Sequence, residues 1–144
     1  MTKFNQILIA TSFALAGLAV MLGAFGAHAL KDALPQRFFE AFETGVEYQM
    51  YHALGLLFLS LTSLHAMNSF SIRFLKYSQI TMLLGVVLFS GSLYLLAILQ
   101  ERTIGMVTPI GGVALLIAWC CAFLAVIKPG AFEHGVEEKA VEGQ

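Results

Sequence analysis

The chain has 144 residues, of which 58% are hydrophobic and only 12% charged, and its formal net charge is −1. Soluble domains carry about 25% charged residues, so a mean hydropathy of +0.80 points to a lipid environment. No block of Lys and Arg is concentrated enough to hold phosphates, which excludes nucleic acid as a partner, and the stretches outside the apolar runs are too short for a separate soluble catalytic domain.

Four apolar runs follow one another: Gln6–Ala29, Val46–Leu64, Tyr77–Leu99 and Val107–Ile127. A hydrocarbon core about 30 Å thick needs about 20 helical residues, and no Asp, Glu, Lys or Arg lies deep inside any run. The expected fold is therefore all-α, a four-helix transmembrane bundle over residues 1–128 with a polar tail over 129–144. The first run, with Lys3 before it and Ala27-His28-Ala29 at its end, imitates a secretory signal peptide. It is too long for an h-region of about 7–15 residues and is expected to stay as a span. Small residues line both of its sides: Ser12, Ala16, Ala19, Gly23 and Ala27 on one, Ala14, Gly17, Ala24 and His28 on the other. Small residues let helix backbones approach in lipid, so this helix is expected between two neighbours.

Between the first and second runs, Pro35 is placed to open a helix. Leu34, Phe38, Phe42 and Val46 recur every four residues, with Glu40, Glu43, Thr44 and Glu47 opposite. This pattern predicts an amphipathic interfacial helix running almost without a break into the second span. The second connection, His65 to Lys76, is polar, and the third, Gln100 to Gly105, is tight enough to make the last two spans antiparallel neighbours. Ser78, Thr81, Gly85 and Ser92 form a small-residue seam on the third span; Gly111, Ala114, Ala118, Ala122 and Ala125 form one on the fourth. Pro109 falls in that helix's first turn, where its missing N–H costs little. Trp119 lies inside the fourth span and reads as a packing residue. Adjacent Cys120 and Cys121 point about 100° apart and read as small apolar fillers. Pro129-Gly130 is a helix stop, followed by a solvated tail. Lys3, Arg73, Lys76 and Lys128 fall on one side of the membrane and Lys31, Arg37 and Arg102 on the other, a bias that favours cytoplasmic termini.

The polar residues at membrane depth gather near one face: His28 closes the first span, and Glu43, Glu47, Tyr48 and His52 lie at the start of the second. Glu40, Glu43, Glu47 and Tyr51 share a helical stripe, whereas Tyr48 and His52 share the next one, toward a packed neighbour. Four readings compete. The histidines can fix the bundle by hydrogen bonding while the glutamates face water, since buried polar groups in lipid must first be satisfied. Glu47, His52 and His28 can form a proton or ion relay. His28 and His52, with Met50 or Met21, can ligate a metal or haem, although two histidines are too few for a closed zinc site. Finally, a lipid headgroup or quinone can bind at the Phe38-Phe39 surface and Tyr48. Ser90-Gly91-Ser92 lacks the strand-turn-helix setting of a nucleophile elbow, and Gly23-Ala24-Phe25-Gly26 precedes no phosphate-binding helix. No cofactor is implied, and no enzyme.

Four ordered segments, Gly23–Leu30, Thr44–Leu54, Phe89–Tyr94 and Thr108–Gly112, resemble the YgdD-like family of small bacterial inner-membrane proteins, which has a eukaryotic membrane counterpart. The resemblance runs from about the first span to about Ile127. It implies four transmembrane helices in an inner or plasma membrane, and no activity or catalytic residue. The expected role is that of a non-catalytic structural, assembly or lipid-organising component, with membrane lipid, further copies of itself or other membrane subunits as partners; a small transporter or ion relay is the alternative. Gly17, Gly23, Ala27, Gly85, Ser92, Gly111 and Ala118 are the expected helix-packing positions.

Overall fold

The computed structural model describes residues 2–66, 68–128 and 130–131. The proposed helix stop at Pro129 and the tail from residue 132 lie outside them. Four α-helices run in series: α1 (Lys3–Phe25), α2 (Gln36–Thr62), α3 (Ser69–Leu99) and α4 (Thr108–Ile127), with no strand among the described residues. A π-helical turn, Gly26–Leu30, extends α1, and a 3-10 turn, Arg102–Met106, precedes α4. Three stretches are long and apolar enough to cross a membrane: Lys3–Leu30, Ser69–Leu99 and Arg102–Ile127. With 27 residues, α2 is about 40 Å long at 1.5 Å per residue, but the part from its start to His52 carries Glu40, Glu43, Glu47, Gln49 and His52.

Local chemistry sets the helix ends. Thr2 caps α1 by accepting from the Asn5 N–H at 3.3 Å, and Asn68 caps α3 by accepting from the Ser71 N–H at 2.7 Å. This second cap makes most of the polar stretch before Lys76 helical instead of loop. At the far end of α3, Gln100 turns the chain with a left-handed φ of 53°. Glu101 then accepts from the Thr103 backbone and hydroxyl at 3.2 and 3.0 Å, which holds its carboxyl below the usual carboxylate range.

Each helix packs on its neighbour in sequence, most closely α3 with α4. On α2, Val46 meets Gly23 of α1, whereas Gly55 meets Trp119 of α4. Nine helical residues at about 100° each turn the chain to its opposite side, so α1 and α4 flank the α2–α3 pair on opposite sides. The expectation that α1 sits between two neighbours is thus corrected: its Ser12 and Ala19 are buried, but Ala14, Gly17, Ala24 and His28 are exposed. Small residues on both sides permit two contacts, and the chain's own helices supply only one.

The larger core joins Leu8, Leu56, Leu75, Met82 and Leu115. A second cluster, at the other end, holds Phe38, Phe42 and Ala97 beneath Leu22, Leu30, Val46 and Tyr94. The four-residue apolar stripe before the second span is therefore covered by α1 and α3, and Phe38 and Phe39 are buried instead of forming a surface for a ligand. Lys76 lies over the Phe4 ring at 5.4 Å and Lys128 over Phe70 at 4.5 Å, which brings the start of α1, the start of α3 and the end of α4 to one end of the molecule.

Candidate functional site

The polar residues of α2 leave the helix on different sides. Glu43 and Glu47 are exposed and, with Gly23, Gly26 and Ala27, line a hollow of ≈ 130 Å³ between α1 and α2. Tyr48 and His52 face α3 and α4. The Tyr48 ring stacks on Phe89 at 4.5 Å and on His52 at 5.7 Å, and the His52 ring lies 6.1 Å from Trp119. His52 is 7% exposed, and its Nδ1 is 2.7 Å from the Tyr48 carbonyl oxygen. A carbonyl only accepts, so Nδ1 carries the proton and, in the neutral ring, Nε2 carries the free lone pair.

His28 does not join them. It is exposed in the π turn, whose Gly26 lies under Phe42: a Cβ built there would stand 2.9 Å from the Phe42 ring. His52 is ten residues beyond Phe42, about 15 Å along the axis, and faces away from α1. Among the described residues, no three His, Cys, Asp or Glu side chains gather closely enough to hold a metal ion. Cys120 and Cys121 are free thiols.

The polar residue that does join helices is Gln49, which is 3% exposed. Its Nε2 donates to the Leu15 carbonyl of α1 at 2.8 Å, and its Oε1 accepts from the Tyr94 hydroxyl of α3 at 2.9 Å. Gln79 ties α3 to the end of α2 in the same way, donating to the Leu59 carbonyl and the Ser63 hydroxyl. Gln49 lies within the Thr44–Leu54 segment and Gln79 in none of the four ordered segments, and neither belongs to a motif of known chemistry. The signal available was an amide within an apolar helix, which must be paired wherever water is absent.

At the α3–α4 seam glycines let the two backbones approach closely. A Cβ at Gly111 would run into the Phe89 backbone, and one at Gly85 would meet Leu115, whose backbone nitrogen lies 3.0 Å away. Ser71 and Ser78 donate across this seam to the Ala125 and Ala118 carbonyls, each at 2.7 Å, and Ser92 pairs with Thr108 at 2.7 Å. A Cβ at Gly23 would stand 3.4 Å from Val46, and Gly17 has open space where a Cβ would go.

Comparison with known proteins adds identity to this geometry. Residues 22–112 match the family model described as a protein of unknown function, DUF423. The chain belongs to the DUF423 family. Among DUF423-type relatives, the UPF0382 membrane protein YwdK of Bacillus subtilis is 42% identical over 111 residues, covering 77% of this chain and 88% of its own. The UPF0382 inner membrane protein YgdD of Escherichia coli is 40% identical over 109 residues, 76% of this chain and 80% of its own. A UPF0382 membrane protein of Haemophilus influenzae is 41% identical over 110 residues. No solved structure matches the chain. The DUF423 match opens in the last turns of α1 and closes at Gly112, short of the Ile127 expected from the motifs. It contains the π turn, α2, α3 and the Gly111 contact, and leaves Trp119 outside.

Proposed function

We propose that this DUF423 membrane protein is a four-helix integral component of a bacterial inner membrane, without catalysis of its own, that assembles with other membrane subunits or organises lipid around itself. All four helices cross the bilayer in this reading. The first turns of α2, where Gln36 donates to Glu40 at 2.9 Å, lie at the outer surface, and both termini are cytoplasmic. The gathering of Lys76 and Lys128 at the end that holds the start of α1 supports that orientation.

The observation that carries the proposal is the divergence of the polar residues. A relay through Glu47, His52 and His28 needs side chains within hydrogen-bond or single-water reach, and these three leave α1 and α2 on different sides. Gln49, Gln79, Ser71 and Ser78, all deep in the fold, are instead spent on holding helices together. The outer side of α1, small at Ala14, Gly17 and Ala24, is open to a further helix.

The intact mass of the complex extracted from its native membrane in mild detergent tests this. Foreign subunits in fixed ratio, or a homo-oligomer with retained lipid, are expected; a bare monomer would overturn the proposal. Proton flux in proteoliposomes that His52→Ala abolishes would favour the relay instead.

A further inference from the structure

We infer that the cleft between α2 and α4 binds a lipid-soluble molecule with a planar, hydroxyl-bearing aromatic head and an apolar tail, the chemistry of an alkyl- or prenyl-substituted hydroquinone. Glycines seat both helices on α3, α4 through Gly85 and Gly111 and α2 through Gly45. The two flanking helices then meet chiefly where the Trp119 ring rests 3.2 Å from the Cβ position of Gly55. On either side of Trp119 lie two arms of ≈ 580 Å³ and ≈ 390 Å³, each lined by Trp119 and open to the outside of the bundle. Each is in the range of about 300–1,000 Å³ typical of ligand cavities.

The arms differ in chemistry. The larger one runs toward Thr62 and Val126 between Leu54, Phe58, Ala122 and Phe123, and its wall is almost wholly apolar. It suits a hydrocarbon tail. The smaller arm has a flat wall: Phe89, Tyr48 and His52 stack in succession with interplanar angles of 26° and 27°. Pro109 and Gly112 also line it. A Cβ at Gly112 would meet only the edge of the Phe89 ring, at 3.7 Å, so the missing side chain leaves that side open. A planar ring fits against such a wall by offset stacking.

Hydrogen bonding and charge select the head group. With Nδ1 donating to the Tyr48 carbonyl, the ring nitrogen left to a ligand is Nε2, an acceptor whenever the imidazole is neutral, and a head that donates suits it. No Asp, Glu, Lys or Arg lines either arm, which leaves a phosphate or carboxylate head without a counter-ion in a dry site. A neutral hydroxyl has neither difficulty. The site does not depend on the assembly role proposed above.

Trp119 is the chain's single tryptophan, so one indole ¹⁵N–¹H resonance reports on the cleft. The full chain in phosphatidylcholine nanodiscs is titrated anaerobically with decylhydroquinone, with decanol as the control that keeps the tail and a hydroxyl and lacks the ring. A saturating shift of the indole signal is expected, about three- to tenfold weaker in dissociation constant for His52→Leu, the loss of one neutral hydrogen bond. Gly112→Leu, which fills the smaller arm and leaves the His52 bond to Tyr48 in place, should abolish the response while the remaining spectrum stays folded. A shift that rises linearly without saturation, an equal saturating response to decanol, or unchanged binding by folded Gly112→Leu would each overturn the assignment.

Discussion

Gly111→Ala is the sharpest test of how the helices are held. A methyl group at this position collides with the Phe89 backbone nitrogen and stands 2.7 Å from its Cα and 2.9 Å from the Leu88 carbonyl carbon. Backbone cannot rotate away as a side chain would, so α4 must shift until these distances reach the 3.4 Å at which contact becomes ordinary. Such overpacking costs about 1–3 kcal/mol. The shift also stretches the Ser78 and Ser92 bonds across the same seam, both 2.7 Å long, and interhelical bonds in membranes average about 0.6 kcal/mol each. The total is about 2–4 kcal/mol, or about 1–3 kcal/mol net of the gain of about 1 kcal/mol by which alanine favours a helix over glycine. Gly112→Ala, one residue on, brings its methyl to 3.7 Å from a movable Phe89 ring, and Gly17→Ala meets nothing within 4 Å. Both replace a helical glycine by alanine, which favours the helix by about 1 kcal/mol, so neither should destabilise. Equilibrium unfolding in mixed dodecyl maltoside and SDS micelles, followed by circular dichroism, gives the three values. If Gly111→Ala falls within about 0.5 kcal/mol of Gly112→Ala, α3 and α4 do not approach as described, since that margin is the size of an ordinary surface substitution.

In the same unfolding assay, Gln49→Leu should cost about 1–2 kcal/mol and Tyr94→Phe about 0.6 kcal/mol, with a non-zero coupling in the double mutant, because both act through the 2.9 Å bond between them. Additive values would remove Gln49 as the link between α1, α2 and α3. Gln100→Gly should stabilise by about 0.5–1 kcal/mol, since a non-glycine residue at φ 53° bears a left-handed strain that glycine does not. Glu101 titrates below its unfolded value because the Thr103 N–H and hydroxyl favour the carboxylate. Its contribution is therefore present above the unfolded pKa and lost as pH falls through the lower folded one, so Glu101→Gln should flatten the acid side of the profile of thermal midpoint against pH.

Hydropathy located the helices because burying apolar surface in lipid and closing backbone hydrogen bonds favour the same segments. It located their ends less well. A helix does not stop where its apolar run stops: α3 starts at Ser69, eight residues before Tyr77, whereas the start of α2 at Gln36 is where Pro35 and the four-residue period put a helix. The cap at Asn68 was present in the sequence as an ordinary N-cap residue, but the polar stretch around it reads as a connection when hydropathy alone is followed. The stripe of Leu34, Phe38, Phe42 and Val46 had the right period for a buried face and no information about what buries it. The second cluster shows α1 and α3 covering it where the membrane surface was expected.

The candidate site divides along the same line. Periodicity separated Glu43 and Glu47 from Tyr48 and His52, since residues on one helix have a fixed angular relation, and the structure keeps that separation. It could not relate His28 to His52, because the angle between residues on two helices depends on how the helices cross and on the π turn at Gly26–Leu30, which shifts the phase of everything after it. The small residues carry the same ambiguity. Gly85, Gly111 and Gly17 look alike in sequence, yet two lie against a neighbouring helix and the third against open space. In water, an exposed glycine would be a neutral surface residue. In lipid, where close backbone contact is what joins helices, the uncovered small side of α1 and the Trp119 cleft on the far side of α2 are places where packing among the described residues stops short. The partner helix proposed for the first and the flat-headed lipid inferred for the second rest on the same physical reason: each place offers contact area that the described helices leave unfilled.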